Sequence, residues 1–175
     1  MPATSVQPLI TRIGEIMISG SGTSPYTITA GTFGLDWWYE GVDDVKRLAP
    51  HVLATPQAKI TLTKMVDGKA WPRPSNQAMY NVEFEVALAY YTDSKILRNQ
   101  KDKLASTIGN DIHKISKALQ HPNNLRATNA GALTGLAGGL LEQQDENPEF
   151  EWNPEASVVT GKLVFTGFLV LSSSV

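Results

Sequence analysis

No cysteine occurs anywhere in the chain, so disulfides, thiol nucleophiles and thiolate metal sites are all excluded. Excess positive charge is missing too. Fifteen Lys and Arg stand against seventeen Asp and Glu, a net charge of -2. A nucleic-acid binder gains affinity by neutralising phosphates with Lys and Arg. A slightly acidic chain would instead repel a DNA backbone mildly. Long apolar runs are absent as well. The longest, around Leu163 to Leu171, is interrupted by Thr166 and Gly167 and is too short for the roughly 20 residues a helical membrane span needs. Residues 1–20 lack the basic start and continuous apolar stretch of a secretory signal. A soluble protein made in a cytoplasm is expected.

What is present suits one domain. The chain has 175 residues, 42% of them hydrophobic, enough for a single sizeable core without metals or disulfides. Leu9, Ile10, Ile13, Ile16 and Met17 fit one helical face, with Pro8 tolerated in a first turn; a short extended segment is the competing reading because of Gly14. Ser19 to Ser24 reads as a loop, and Thr27 to Thr29 as strand. Val45 and Leu48 suit a short helix ended by Pro50. Ile60 and Leu62 alternate with Thr61 and Thr63 as in a strand, and Asp67-Gly68 signals a turn. From Tyr80 to Tyr90 alternation is strict. Tyr80, Val82, Phe84, Val86, Leu88 and Tyr90 share one face, and Asn81, Glu83, Glu85, Ala87 and Ala89 the other.

Thr92 to Gln120 is helical in period, with an apolar stripe through Ile96, Leu97, Leu104, Ile108, Ile112, Ile115 and Leu119. It allows about seven turns and ends at His121-Pro122-Asn123-Asn124. Asn129 to Gly139 reads as loop or weak strand, Leu140 to Gln144 as extended, and Asn147 to Pro154 as a turn-rich acidic loop. Ser157 to Ser172 is a last strand, apolar on both faces, as for a central strand or one covered by a partner. The sum is an α+β domain over 1–175. A mixed, mostly antiparallel sheet carries one long helix on a face, a short N-terminal helix precedes it, and 20–54 form an insertion or arm.

The residues offer no constellation for catalysis. His51, His113 and His121 fall in no metal-ligand spacing. The carboxylates at Asp43-Asp44, at Asp145-Glu146 and from Glu149 to Glu155 lie in turn-rich segments and read as solvated loops. The glycine-rich stretches at 19–23 and 131–139 carry no phosphate-binding fingerprint. No catalytic, cofactor-binding or metal residue is assigned. The aromatic knot Phe33, Trp37, Trp38 and Tyr39 has two readings, a satellite of the core or a docking patch; Trp and Tyr are frequent interface anchors. With Trp71 and Arg73, in the Trp-Pro-Arg-Pro loop, these four are the protein-interface candidates.

A strand like Tyr80–Tyr90 running into a long helix that ends Ile-Ser-Lys-Ala-Leu-Gln, then a loop and closing strands through Val159–Leu171, resembles the tail terminator proteins of tailed bacteriophages. More loosely, it is similar to other small neck and tail-completion proteins. The resemblance covers Thr55 to the C-terminus and rests on element order and length. It implies a virion protein of the tail or neck, made in the host bacterial cytoplasm. Such proteins form a hexameric ring that caps the tail tube and meets a head-side connector, while DNA passes through the lumen without specific binding. It implies no enzyme, cofactor or membrane. The segment Gly20 to Ala54 departs from the pattern. A head-closure adaptor or a tube-like protein is the alternative within the same class, and a small hydrolase the alternative outside it.

Overall fold

A computed structural model describes residues 4–20, 27–34, 56–68, 77–91, 94–125, 134–136, 141–144, 148–153 and 158–172. The elements in chain order are α1 (Gln7–Ser19), β1 (Gln57–Asp67), β2 (Gln77–Tyr91), α2 (Ser94–Leu119), α3 (Pro122–Leu125), β3 (Glu142–Gln143), β4 (Phe150–Asn153) and β5 (Val158–Ser172). Helices and an antiparallel five-stranded sheet make this an α+β fold.

Strand alternation builds the core side of the sheet. Ile60, Val86 and Leu163 lie in one cross-strand row, and Leu62, Phe84 and Phe165 in the next. Val86, Leu163, Phe84 and Phe165 are fully buried, each worth roughly 1.5–3 kcal/mol relative to exposure. Ile108, Ile115 and Leu119 of α2 close over this face in the same core cluster. So do Leu9, Ile13, Ile16 and Met17 of α1, which is therefore a helix and not an extended segment. Gly20 ends α1 at a left-handed φ of 66°, the conformation glycine adopts without steric cost. A side chain there would meet the Ile28 carbonyl oxygen at 2.8 Å.

Two expectations are corrected. Residues 27–29 form no strand; Ile28 is buried in the core from a coil, and the Gly31 amide donates to the Ile18 carbonyl at 3.0 Å. The acidic loop at 147–154 contains a strand, β4, paired with β5 from Phe150 opposite Gly161 to Asn153 opposite Val158. Proline at 122 ends α2 as expected yet opens α3, because the first helical turn needs no amide from it. Asn124, fully buried, caps the junction: its Nδ2 donates to the Ala118 carbonyl at 2.8 Å, and its own carbonyl accepts from Arg12 Nε at 2.7 Å.

The central place of β5 follows from its two apolar faces. It pairs with β2 along its whole length on one edge. On the other edge it meets, in succession, a bridge at Leu136, then β3, then β4. Leu136, β3 and β4 thus follow β5 antiparallel, in short pieces.

Candidate functional site

The sheet's second face bears the other half of each alternating strand. Its rows read Lys59–Ala87–Lys162, Thr61–Glu85–Val164, Lys64–Glu83–Thr166 and Val66–Asn81–Phe168. Charges occupy the middle. Lys162 Nζ lies 3.2 Å from Glu85 Oε2, and Thr63 Oγ1 donates to Glu83 Oε1 at 2.9 Å. Thr63 is the extra residue of a bulge between Leu62 and Lys64, which twists and protects an edge strand. Beyond the bulge the surface turns apolar, with Val66 and Phe168 exposed and Phe168 54% accessible. Trp152 on β4 pairs with Val159, opposite Tyr90, so it belongs to the other side of the sheet, where it is 52% accessible. Exposed large aromatics near a sheet edge are the material of protein docking.

A buried polar contact ties α2 to the sheet. The Tyr90 hydroxyl donates to Asp111 Oδ2 at 3.1 Å, with Lys114 Nζ 3.7 Å from Asp111 Oδ1. Burial pushes the Tyr90 phenol above its ordinary range, and the neighbouring Asp111 charge and the hydrogen bond to it push the same way. Tyr90 also meets the Phe150 ring edge to face, centroids 6.3 Å apart. Phe150 packs against Gly161, where a Cβ would fall 2.5 Å from Phe150 Cδ1. Tyr90 and Asp111 are 3% and 4% accessible, so this contact holds elements together and offers no opening to a substrate. Among the described residues no group of three or more His, Asp and Glu could hold a metal ion, and none of their helices is long and apolar enough to cross a membrane.

The interface candidates separate. Phe33, for which both a core and a docking reading stood, lies in the core, 1% accessible. The parallel bridge from Gly34 to Gln57, with Gly34 N donating to Pro56 O at 2.9 Å and Ala58 N to Gly34 O at 2.8 Å, pins it against the start of β1. Trp37, Trp38, Tyr39, Trp71 and Arg73 lie outside the described residues, as does His51. His113 is exposed, and His121 sits half-buried after α2. Trp152 escaped the sequence reading, although Glu149, Phe150, Glu151 and Trp152 alternate in the period of a strand. Comparison with protein-family models and with curated proteins finds no match.

Proposed function

We propose that the protein is a structural virion subunit similar to the tail terminators of tailed bacteriophages. It assembles into a hexameric ring that caps the tail tube and faces a head-side connector, with DNA passing through the lumen unbound. In this reading it acts by docking and carries no catalytic group. The observation that supports it is the sheet itself. Two 15-residue antiparallel strands, β2 and β5, are packed by helices on one face. The opposite face alternates Lys, Glu and Thr and ends in exposed Val66 and Phe168. Such a sheet is suited to a wall that meets neighbours and leaves a polar surface to solvent. A closed ring needs heterologous contacts whose rotation returns to the start.

The test is solution mass, negative-stain imaging and binding to purified tail tubes. A single closed ring that caps tubes is expected. Long stacked rings would replace the terminator with a tube-like protein. A head-closure adaptor would bind connectors and leave tubes uncapped. A monomer that binds neither tubes nor connectors would overturn the proposal.

A further inference from the structure

Two surfaces of the described residues carry charge of one sign each. On α2, the positions Lys103, Thr107, Asn110, Lys114 and Lys117 recur at the spacing of one helical face; all five are exposed and none is acidic. From Lys103 to Lys117 the stripe runs about 21 Å, at 1.5 Å per residue. Between Arg126 and Lys162, in contrast, the sequence has six acids and no base. Of these, Glu142, Glu149 and Glu151 are described and exposed. Glu142 pairs with Thr166 and Glu151 with Thr160, so both stand on the same side of the sheet. They are separated along β5 by about 20 Å, at roughly 3.3 Å per residue.

Among the described residues these two surfaces do not pair with each other. No ion pair within 4 Å joins Lys103, Lys117, Glu142, Glu149 or Glu151 to any described residue. Lys114 lies 3.7 Å from the buried Asp111 and keeps a half-exposed side chain. The far edges of β3 and β4 pair with no described strand, and Trp152 stands exposed on β4 on the side opposite Glu151.

We infer that the β3–β4 edge of one subunit docks on the outward lysine face of α2 of a second copy of this chain, head to tail. The two surfaces match in length and oppose in charge, and Lys103 and Lys117 on one and Glu142, Glu149 and Glu151 on the other make no ion pair within 4 Å with a described residue. Because the contact joins two different patches, it repeats around a ring and does not stop at a two-fold dimer. The inference rests on the ring reading and names the surfaces that would form it.

The experiment compares the wild-type chain with two charge-reversed variants, Glu142→Lys/Glu149→Lys/Glu151→Lys and Lys103→Glu/Lys117→Glu, by sedimentation in low and high salt. All reversed side chains are exposed, and circular dichroism checks that each variant is folded. Wild type is expected to assemble in low salt and to dissociate as salt rises, since screening shortens the Debye length from about 30 Å at 0.01 M to about 3 Å at 1 M. Each variant alone is expected to lose assembly at least tenfold in apparent affinity. Mixed in equal amounts, the two should recover it, because the basic edge of one meets the acidic helix of the other. Wild-type rings that both variants still form would overturn this interface and leave the ring reading standing. Variants that fail alone and stay apart when mixed would overturn the pairing of these two patches. A wild type that is monomeric in low salt but rings on tail tubes would overturn the inference alone; one that never rings would remove both readings.

Discussion

Replacing Gly161 by alanine tests how β4 is held on the sheet. In an open strand the change is favourable, because glycine in a strand interior is destabilising by roughly 0.5–1 kcal/mol relative to alanine. Here the new Cβ would lie 2.5–2.7 Å from three atoms of the Phe150 ring. The ring must leave its seat, and its edge-to-face contact with Tyr90 goes with it. Overpacking of this kind costs about 1–3 kcal/mol, and an aromatic pair adds about 0.5–1.5 kcal/mol beyond its buried area. The packing loss outweighs the backbone gain, so Gly161→Ala is expected to destabilise by about 1–3 kcal/mol. That corresponds to a melting temperature lower by about 2–4 °C per kcal/mol for a chain of this size. Phe150→Ala should cost less than the about 3–5 kcal/mol of a fully buried Phe, since its ring is only partly buried. In that background the obstacle is gone, and Gly161→Ala should become neutral or stabilising by roughly 0.5–1 kcal/mol. Urea unfolding of the four proteins of the cycle, followed by circular dichroism, reads the coupling directly. Gly161→Ala that stabilises the wild type, or that changes stability equally in both backgrounds, would refute the seating of Phe150 on Gly161.

Tyr90→Phe leaves the buried Asp111 carboxylate without its hydroxyl donor and is expected to cost about 1–3 kcal/mol, measured by urea unfolding at neutral pH. The same tyrosine sets a pH dependence. Its folded-state pKa is raised above that of an unfolded tyrosine, near 10, so its contribution is fully present below that value. Above it only the unfolded state releases the proton, and stability falls with rising pH. Wild type should therefore lose stability more steeply than Tyr90→Phe in the alkaline range; parallel pH profiles would count against it. Asn124→Ala removes the side-chain donor to Ala118 O and is expected to lower stability by about 1–3 kcal/mol while assembly, read by sedimentation, is unchanged. Replacing Trp37 and Trp38 by Ala is predicted to weaken ring assembly more than thermal stability; unchanged assembly with a large fall in melting temperature would place both in the core.

The parts of this fold that announce themselves in sequence are those whose burial is one-sided. Tyr80 to Tyr90 alternates because α1 and α2 cover one face and leave the other to Glu83 and Glu85. The stripe from Leu104 to Leu119 repeats at helical spacing for the same reason. The central position of β5 is legible in its two apolar faces, since Val158 and Leu163 are both buried although they point to opposite sides. The misses share a different cause. Thr27 to Thr29 has strand-like residues, but propensity is a weak prior, and Ile28 satisfies its hydrophobic demand by inserting into the core from a coil. Phe150 to Asn153 is a four-residue strand flanked in sequence by Pro148, Glu149 and Pro154, and such proline-rich flanks read as turn. Its reason for existing lies eleven residues away, in the glycine at 161 that makes room for Phe150, a contact that no local pattern encodes.

The surface follows the same division. Composition alone gives a balanced chain of net charge -2, which hides that the outward face of α2 is basic and the β3–β4 edge acidic. The cancellation is arithmetic and not spatial. Phe33 points the same way: an aromatic cluster in sequence suggests one patch, yet the Gly34–Gln57 bridge commits its first member to the core. Which aromatics stay exposed is decided by backbone pairing, and Trp152 is one of them. Docking in this protein is therefore expected at the edges of the sheet, where strand pairing ends and side-chain charge changes sign.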